Sequence, residues 1–532
     1  MTEFSRADHS VSPPRLSIPT EYNAAHDLLE RNFRAGRGGK TAFIDDAGSY
    51  TYAQLSERVN RYANALVGLG LRMEDRVLVC LHDSIDFPVV FLGCIKAGII
   101  PIAVNTLLTG AEYDFMLRDS RARTLVVSGA LLPRFDALIA TQPFLETVIV
   151  SGDTPAGMTR LADLMAPAPT SFDSAPTRAD DMCFWLYSSG STGSPKGTVH
   201  VHASLIQTAE LYARPILGIR ESDVVFSAAK LFFAYGLGNS LTFPLAVGAT
   251  AVLMAERPTP AAVAARLKQH QPTVFYAVPT LFAAMLANPE LPKRDEVNLR
   301  VATSAGEALP TDIGKRFSEH FKIDLLDGIG STEMLHIFLS NRPGEVRYGT
   351  TGRPVPGYQL RIVDEMGAAV AAGEIGELQV NGPTVAAFYW NNRERSRATF
   401  QGEWTRSGDK YRQDELGYFV YCGRSDDMLK VSGIYVSPVE VEAALATHPA
   451  VLEAAVIGSP DADQLIKPRA FIVLKPGIAA TVELEETLKR HVKDSLAPHK
   501  YPRWIEFIAE LPKTATGKIQ RFKLRAQDSR RA

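Results

Sequence analysis

The sequence has 532 residues, of which 46% are hydrophobic and 22% charged, and its formal net charge is −2. That length implies two to four compact units with room for large cores, and the composition is that of an ordinary soluble protein. A charge balance so close to zero excludes a general nucleic-acid binder, which would carry a basic excess.

Residues 1–20 are polar, with no apolar signal core, and read as a loose leader. From Ala42 to Val252 helical patterns alternate with short apolar runs, Arg76–Cys80, Ile99–Val104, Thr124–Val127 and Thr147–Val150 among them. Tyr52–Leu69 and Ala111–Asp119 are the intervening helix candidates. This alternation predicts α/β layers with mostly parallel sheets. The most apolar stretch, Pro88–Val104, is interrupted by Lys96, Gly98 and Pro101, so it reads as a buried helix followed by a strand and not as a membrane span. The four cysteines, Cys80, Cys94, Cys183 and Cys422, form no C-x-x-C pair and read as reduced, packed thiols of a cytoplasmic protein.

The α/β pattern returns from Thr259 to Ile329, and residues 346–423 change to short strands and glycine turns, a small β-rich unit. A last α+β unit starts near Arg424, with a helix opened by the capping pattern Ser437-Pro438-Val439-Glu440. Strands at Ala454–Ile457, Ala470–Leu474 and Trp504–Ile508 and a helix at Val482–Leu496 complete it.

The sharpest chemical signal is Tyr187-Ser188-Ser189-Gly190-Ser191-Thr192-Gly193-Ser194-Pro195-Lys196-Gly197, after the strand candidate Met182–Leu186. Its glycines let backbone N–H groups turn toward an anion, and the hydroxyls and Lys196 add donors: a phosphate cradle. A Walker loop would need Gly before the lysine and Ser or Thr after it, whereas Pro195 and Gly197 stand there. His200-Val201-His202 has the look of a metal pair, but no third ligand clusters nearby, and the pair reads as packing.

The cradle resembles the phosphate loop of the adenylate-forming superfamily, and further segments match that superfamily in order along nearly the whole chain. Asp327-Gly328-Ile329-Gly330-Ser331-Thr332-Glu333 resembles its second nucleotide motif. By that resemblance Thr332 contacts the α-phosphate and Glu333 holds Mg²⁺, as a carboxylate suits a hard cation. Ala305, Gly306 and Glu307 resemble the turn along the adenine, with Asp327 and Gly328 beside it; Asp409 and Arg424 match the ribose contacts. Asp426 matches the hinge between a large N-terminal domain, 1–425, and a mobile C-terminal domain, 427–532. Lys430, Ser432 and Gly433 resemble the loop lining the coenzyme A tunnel, and Lys518 the catalytic lysine.

The resemblance implies a fold of two α/β layers, a small β-rich unit and a mobile α+β domain. It implies ATP, Mg²⁺ and coenzyme A as cofactor and co-substrates, a small-molecule acid as partner, and no nucleic-acid or membrane partner; monomer and homodimer stay open. Phe232, Phe233, Ala234 and Tyr235, with Gly328, Gly330, His336 and Ile337, fall at the acid-binding positions. That set is aromatic and aliphatic, as suits a flat apolar ring. The segments 304–310 and 330–338 most resemble those of benzoate–CoA ligases. Alternatives are another small acid (4-hydroxybenzoate, an aminobenzoate or a medium-chain fatty acid) or a free-standing adenylation enzyme loading a carrier protein. An amino-acid activator would need an acidic residue for the ammonium group, and Leu231–Ser240 contains none.

Overall fold

The β-branched runs of the first half become central strands of parallel sheets. The computed structural model describes residues 4–189, 195–431, 434–461, 465–497, 500–513 and 519–529. The chain divides into two compact units, Met1–Gln359 with Val380–Thr405, and Leu360–Gln379 with Arg406–Ala532.

Among the described residues the first unit holds two large sheets. One has eight strands in the order Phe388–Tyr389, Pro195–Val201, Met182–Ser189, Ile100–Ala103, Arg76–Cys80, Thr124–Ser128, Thr147–Ser151, Thr159–Arg160. From Met182–Ser189 onward neighbours run parallel, and the other two strands pair antiparallel. The second sheet has nine strands and is parallel from Asp324–Gly330 through Val301–Ser304, Val274–Ala277, Val224–Ser227 and Thr250–Val252 to Thr41–Asp45. Central strands such as Thr124–Ser128 and Val274–Ala277 are buried along their whole length, which is why their sequences are unbroken apolar runs rather than alternating ones. Expected and observed layers agree: the fold is mixed α/β.

Helix Tyr52–Gly68 opens with a reciprocal capping box between Thr51 and Gln54 and buries Leu55, Val59, Tyr62, Ala63 and Leu66 along one face. Its partner is helix Asp86–Lys96, the buried helix expected from the Pro88–Val104 run. Gly93 permits their close approach: a Cβ there would lie 2.7 Å from the Tyr62 ring and 3.2 Å from the Val59 carbonyl.

The leader departs from expectation. Arg6–Asp8 pairs antiparallel with Arg15–Ser17, and the Ser5 N–H and hydroxyl both donate to Asp27. Asp27 is a fully buried carboxylate that also takes hydrogen bonds from Tyr22 and Arg31. The polarity that makes this segment look unstructured is what satisfies a buried charge.

The second unit contains the hairpin in which Asp409–Gln413 pairs with Phe419–Arg424 and a sheet of Val451–Pro460, Ile466–Leu474 and Trp504–Phe507. Helices Pro438–Ala446 and Val482–Ser495 pack on that sheet through Val441, Leu445, Leu488 and Val492. The Ser437 side chain accepts from the Glu440 N–H at the start of the first helix. Asp426 falls inside this unit; the division itself lies at 359/360, 379/380 and 405/406.

Candidate active site

The phosphate-loop segment lies on a β-hairpin. Met182–Ser189 and Pro195–Val201 pair as far as Ser188↔Lys196 and Ser189↔Pro195. A Walker lysine opens a helix; Lys196 sits on a strand, in keeping with the sequence argument against that motif. Gly190, Ser191, Thr192 and Gly193 lie outside the described residues. Lys196 Nζ stands 4.5 Å above the Tyr389 ring and 3.9 Å from Glu333 Oε1.

Thr332 and Glu333 occupy the turn between the antiparallel strands Asp324–Gly330 and Ile337–Ser340. Gly330 has no room for a side chain: a Cβ would lie 2.5 Å from the His336 carbonyl oxygen. Leu335 closes the turn at φ 64°, a conformation that costs a branched side chain energy and needs support from its surroundings. Tyr389 donates its hydroxyl to Glu333 Oε1 at 2.7 Å, and Ser188 Oγ donates to the same oxygen at 3.4 Å. The described contacts of this carboxylate thus fall on one oxygen.

The positions expected to take the adenine lie at the carboxyl ends of neighbouring parallel strands, the usual place for ligands in open α/β sheets. Ser304 is in register with Asp327, and Ala305 and Gly306 follow directly, Gly306 at φ +90°. Glu307 faces the start of helix Pro279–Ala287, where its Oε2 accepts from the Thr280 N–H at 3.2 Å and hydroxyl at 2.6 Å. Asp327 is pushed well above the usual carboxylate range by burial, and its Oδ1 has no partner among the described residues. Gly328 lies under Ile337, whose Cγ2 would be 3.1 Å from an added Cβ.

Of the positions expected to bind the acid, Tyr235 and Gly330 lie against His336, and Ile337 follows it in the chain. Phe232 and Phe233 have ring centroids 4.5 Å apart, and Ala234 begins the short helix that carries Tyr235. His336 is buried against the rings of Tyr212, Tyr235 and Phe243 at 5.4, 5.5 and 4.5 Å. Its Nε2–H donates to the Tyr235 carbonyl and to Asn239 Oδ1 at 3.3 and 3.2 Å. Burial pushes this imidazole down to about 3, so the ring is neutral at working pH. Gly238 is what lets it in: a Cβ there would stand 2.4 Å from His336 Cδ2.

The second unit carries Asp409 and Arg424 as cross-strand partners, Nη1 to Oδ1 at 3.3 Å. Arg424 Nε also lies 3.5 Å from Asp426 Oδ1. Asp427, next along, pairs with Arg525 at 2.7 Å and Arg521 at 3.5 Å. Lys430 lies on the short strand Leu429–Val431; Ser432, Gly433 and Lys518 lie outside the described residues.

Three contributors escaped the sequence reading. Tyr389 and Asn239 carry no motif signal in a single sequence. His200 had one: on a strand, residues four apart share a face, so it sits on the side of Lys196. Its Nε2–H donates to the Thr332 carbonyl at 2.7 Å, while His202 Nδ1 accepts from the Ala24 N–H at 3.1 Å. The two histidines therefore serve separate partners.

Family comparison gives the arrangement its context. A model described as AMP-binding enzyme matches residues 29–390, and one described as AMP-binding enzyme C-terminal domain matches residues 440–518. The chain belongs to the AMP-binding enzyme family. It is 66% identical over 528 residues to a benzoate–CoA ligase of Thauera aromatica, covering 99% of this chain and 100% of that one. It is 51% identical to a 4-hydroxybenzoate–CoA/benzoate–CoA ligase of Rhodopseudomonas palustris, over 95% of this chain and 94% of that one. Among solved structures, a benzoate CoA ligase from Burkholderia xenovorans LB400 superposes with a TM-score of 0.89 at 58% identity, covering 95% of this chain and 100% of that one. An anthranilate CoA ligase in complex with anthranoyl-AMP superposes with a TM-score of 0.92 at 46% identity, covering 97% and 98%. Among the described residues of this AMP-binding enzyme, no helix is long and apolar enough to cross a membrane.

Proposed function

We propose that this chain is an AMP-forming ligase that joins benzoate to coenzyme A through benzoyl adenylate. The observation that carries the reading is end-to-end identity of 66% to a protein named benzoate–CoA ligase. The aromatic lining at Phe232, Phe233 and Tyr235 supports it, since a flat ring stacks on such faces.

A carboxylate is a poor electrophile because oxide would have to leave. Attack of a benzoate oxygen on the α-phosphorus of ATP releases pyrophosphate and makes AMP the future leaving group. The thiol of coenzyme A then displaces AMP at the carbonyl carbon. The protein's task in the first step is positioning and charge neutralisation. Lys196 and the 188–193 segment bind phosphate oxygens; Thr332 contacts the α-phosphate; Lys518 bridges the acid and that phosphate. Ala305, Gly306, Glu307, Asp327 and Gly328 take the adenine, and Asp409 and Arg424 the ribose. Phe232, Phe233, Ala234, Tyr235, Gly328, Gly330, His336 and Ile337 line the acid pocket. Asp426 is the hinge about which 427–532 turn against 1–425, exchanging Lys518 for Lys430, Ser432 and Gly433 in the second step.

Glu333 fits Mg²⁺: its described contacts load Oε1 only, and Mg²⁺ sites of this kind take one or two carboxylates plus substrate phosphates. Bound there, the ion offsets charge on the phosphates. No group of three His, Cys, Asp or Glu side chains suited to a metal occurs among the described residues, so Glu333 would share the ion with substrate phosphates and water.

A second reading, in which hydroxylated benzoates are also taken, is favoured by His336 Nδ1, a buried atom with no partner among the described residues. The test incubates the protein with ATP, Mg²⁺, coenzyme A and benzoate and follows products by mass. Stoichiometric AMP, pyrophosphate and benzoyl-CoA are expected. AMP release with no thioester would point to a carrier-loading enzyme, and no AMP at all would refute adenylation of benzoate.

A further inference from the structure

The Thr332–Glu333 turn is held from outside at three successive carbonyls. His200 Nε2–H donates to the Thr332 carbonyl at 2.7 Å, the Ala386 N–H to that of Glu333 at 2.7 Å, and Thr384 Oγ1–H to that of Met334 at 2.7 Å. The next residue, Leu335, is the one with left-handed backbone. A turn strained in this way persists only where its surroundings over-determine it.

His200 differs from the other two donors in where it comes from. It shares a face of strand Pro195–Val201 with Lys196, and Lys196 Nζ lies 3.9 Å from Glu333 Oε1. One strand therefore meets the turn twice, at Glu333 through Lys196 and at Thr332 through His200. The imidazole is completely buried and stacked on Phe184, centroids 5.3 Å apart at 20°. Its Nδ1 has no partner among the described residues, so Thr332 is the described polar contact of the ring.

We propose that His200 is a positioning residue for adenylation: its Nε2–H registers the Thr332–Glu333 turn against the phosphate-loop strand. This rests on the reading of Thr332 as an α-phosphate contact. Burial pushes the imidazole down to about 4, so the ring keeps one proton across the working range and Nε2 keeps it as the donor. A carbonyl can only accept, which fixes the tautomer with the proton on Nε2. Without the donor, the Thr332 carbonyl keeps only the Leu335 N–H at 3.2 Å, a bond internal to the turn, and the turn can relax against the strand by a fraction of an ångström. Misplacement on that scale is enough to slow a positioned reaction by about 10- to 100-fold.

The test compares His200→Phe and His200→Leu, which fill the site without a donor, with His200→Gln, which restores one. Benzoate-dependent ATP–pyrophosphate exchange reads adenylation, and thioester formation from supplied benzoyl adenylate reads the second step. Exchange turnover should fall about 10- to 100-fold in a folded non-donor variant, with KM for benzoate within about twofold. His200→Gln should recover most of the loss. A folded non-donor variant with wild-type exchange overturns the proposal, as does an equal loss in His200→Gln. Thr332→Val is the control: if it leaves exchange intact, the reading of Thr332 fails; if it abolishes exchange while the His200 variants do not, only the inference fails.

Discussion

In the first unit, Thr332, Glu333 and Met334 are held by hydrogen bonds from His200, Ala386, Tyr389 and Thr384, and His200 is fully buried. In the second, Asp409 and Arg424 meet on a hairpin at 3.3 Å, and the arginine side chain is 43% exposed. The first cluster is set by backbone carbonyls of a partly buried turn and by a neutral ring with no exposed surface, whose unmade bond would be expensive. The second is an ion pair between a buried carboxylate and a guanidinium in contact with water, which screens it from one side. Substitutions near the turn should therefore disturb chemistry or folding, whereas substitutions at the hairpin should disturb nucleotide affinity.

Removing the charge that the family reading aims at the α-phosphate should give the largest effect. Lys518→Ala should slow adenylation at least ~10²-fold, as losing one transition-state donor does. Thioester formation from supplied benzoyl adenylate should persist; equal loss of both steps would show that Lys518 is not confined to the first.

Gly330→Ala probes the turn from its backbone side. A Cβ 2.5 Å from the His336 carbonyl oxygen forces the two strands apart. The expected cost is ~1–3 kcal/mol in a denaturant titration, with adenylation reduced as well. A variant with wild-type stability and activity would mean that the turn is more compliant than its hydrogen bonds suggest.

A third change sharpens the contrast through pH. Asp83 is buried, accepts from the Leu231 N–H at 3.2 Å, and is pushed up to about 6 by desolvation. Its unfolded value is near 3.9, so the folded state holds the proton more tightly. The associated stability is complete below about pH 4 and is lost as pH rises through 6, roughly 3 kcal/mol in all and about half of it between pH 5 and 8. Asp83→Asn lacks this loss. Wild type should therefore become less stable relative to the variant as pH rises; a gap independent of pH would contradict the assignment.

The hairpin should respond least. Asp409→Asn should raise KM for ATP by about tenfold, about 1.4 kcal/mol, with turnover and melting little changed. A loss confined to turnover would argue against a ribose contact.

These two regions were not equally legible in the sequence. The parallel strands were, because burial on both faces writes itself as unbroken runs such as Val77–Cys80. Helix starts were legible through Thr51 with Gln54 and Ser437 with Glu440. The residues supporting the turn were not: His200 donates to a carbonyl 132 positions away and Ala386 to one 53 positions away, and no local pattern encodes such a pairing. The leader misled for a related reason, since Ser5 finds its purpose only beside Asp27, 22 residues on. The acid pocket was read as aromatic, but the neutral state of His336 comes from its burial, with Gly238 and Phe243 packed against the ring.

The measurement that bears most directly on the whole account is kcat/KM for benzoate, 4-hydroxybenzoate, octanoate and acetate on one preparation, with ATP, Mg²⁺ and coenzyme A saturating. Benzoate should lead. 4-Hydroxybenzoate should follow by about 5- to 150-fold if its hydroxyl is buried without a partner, a cost of ~1–3 kcal/mol, and by less if His336 Nδ1 receives it. A clear preference for octanoate or acetate would contradict the reading of this chain as an aryl–CoA ligase.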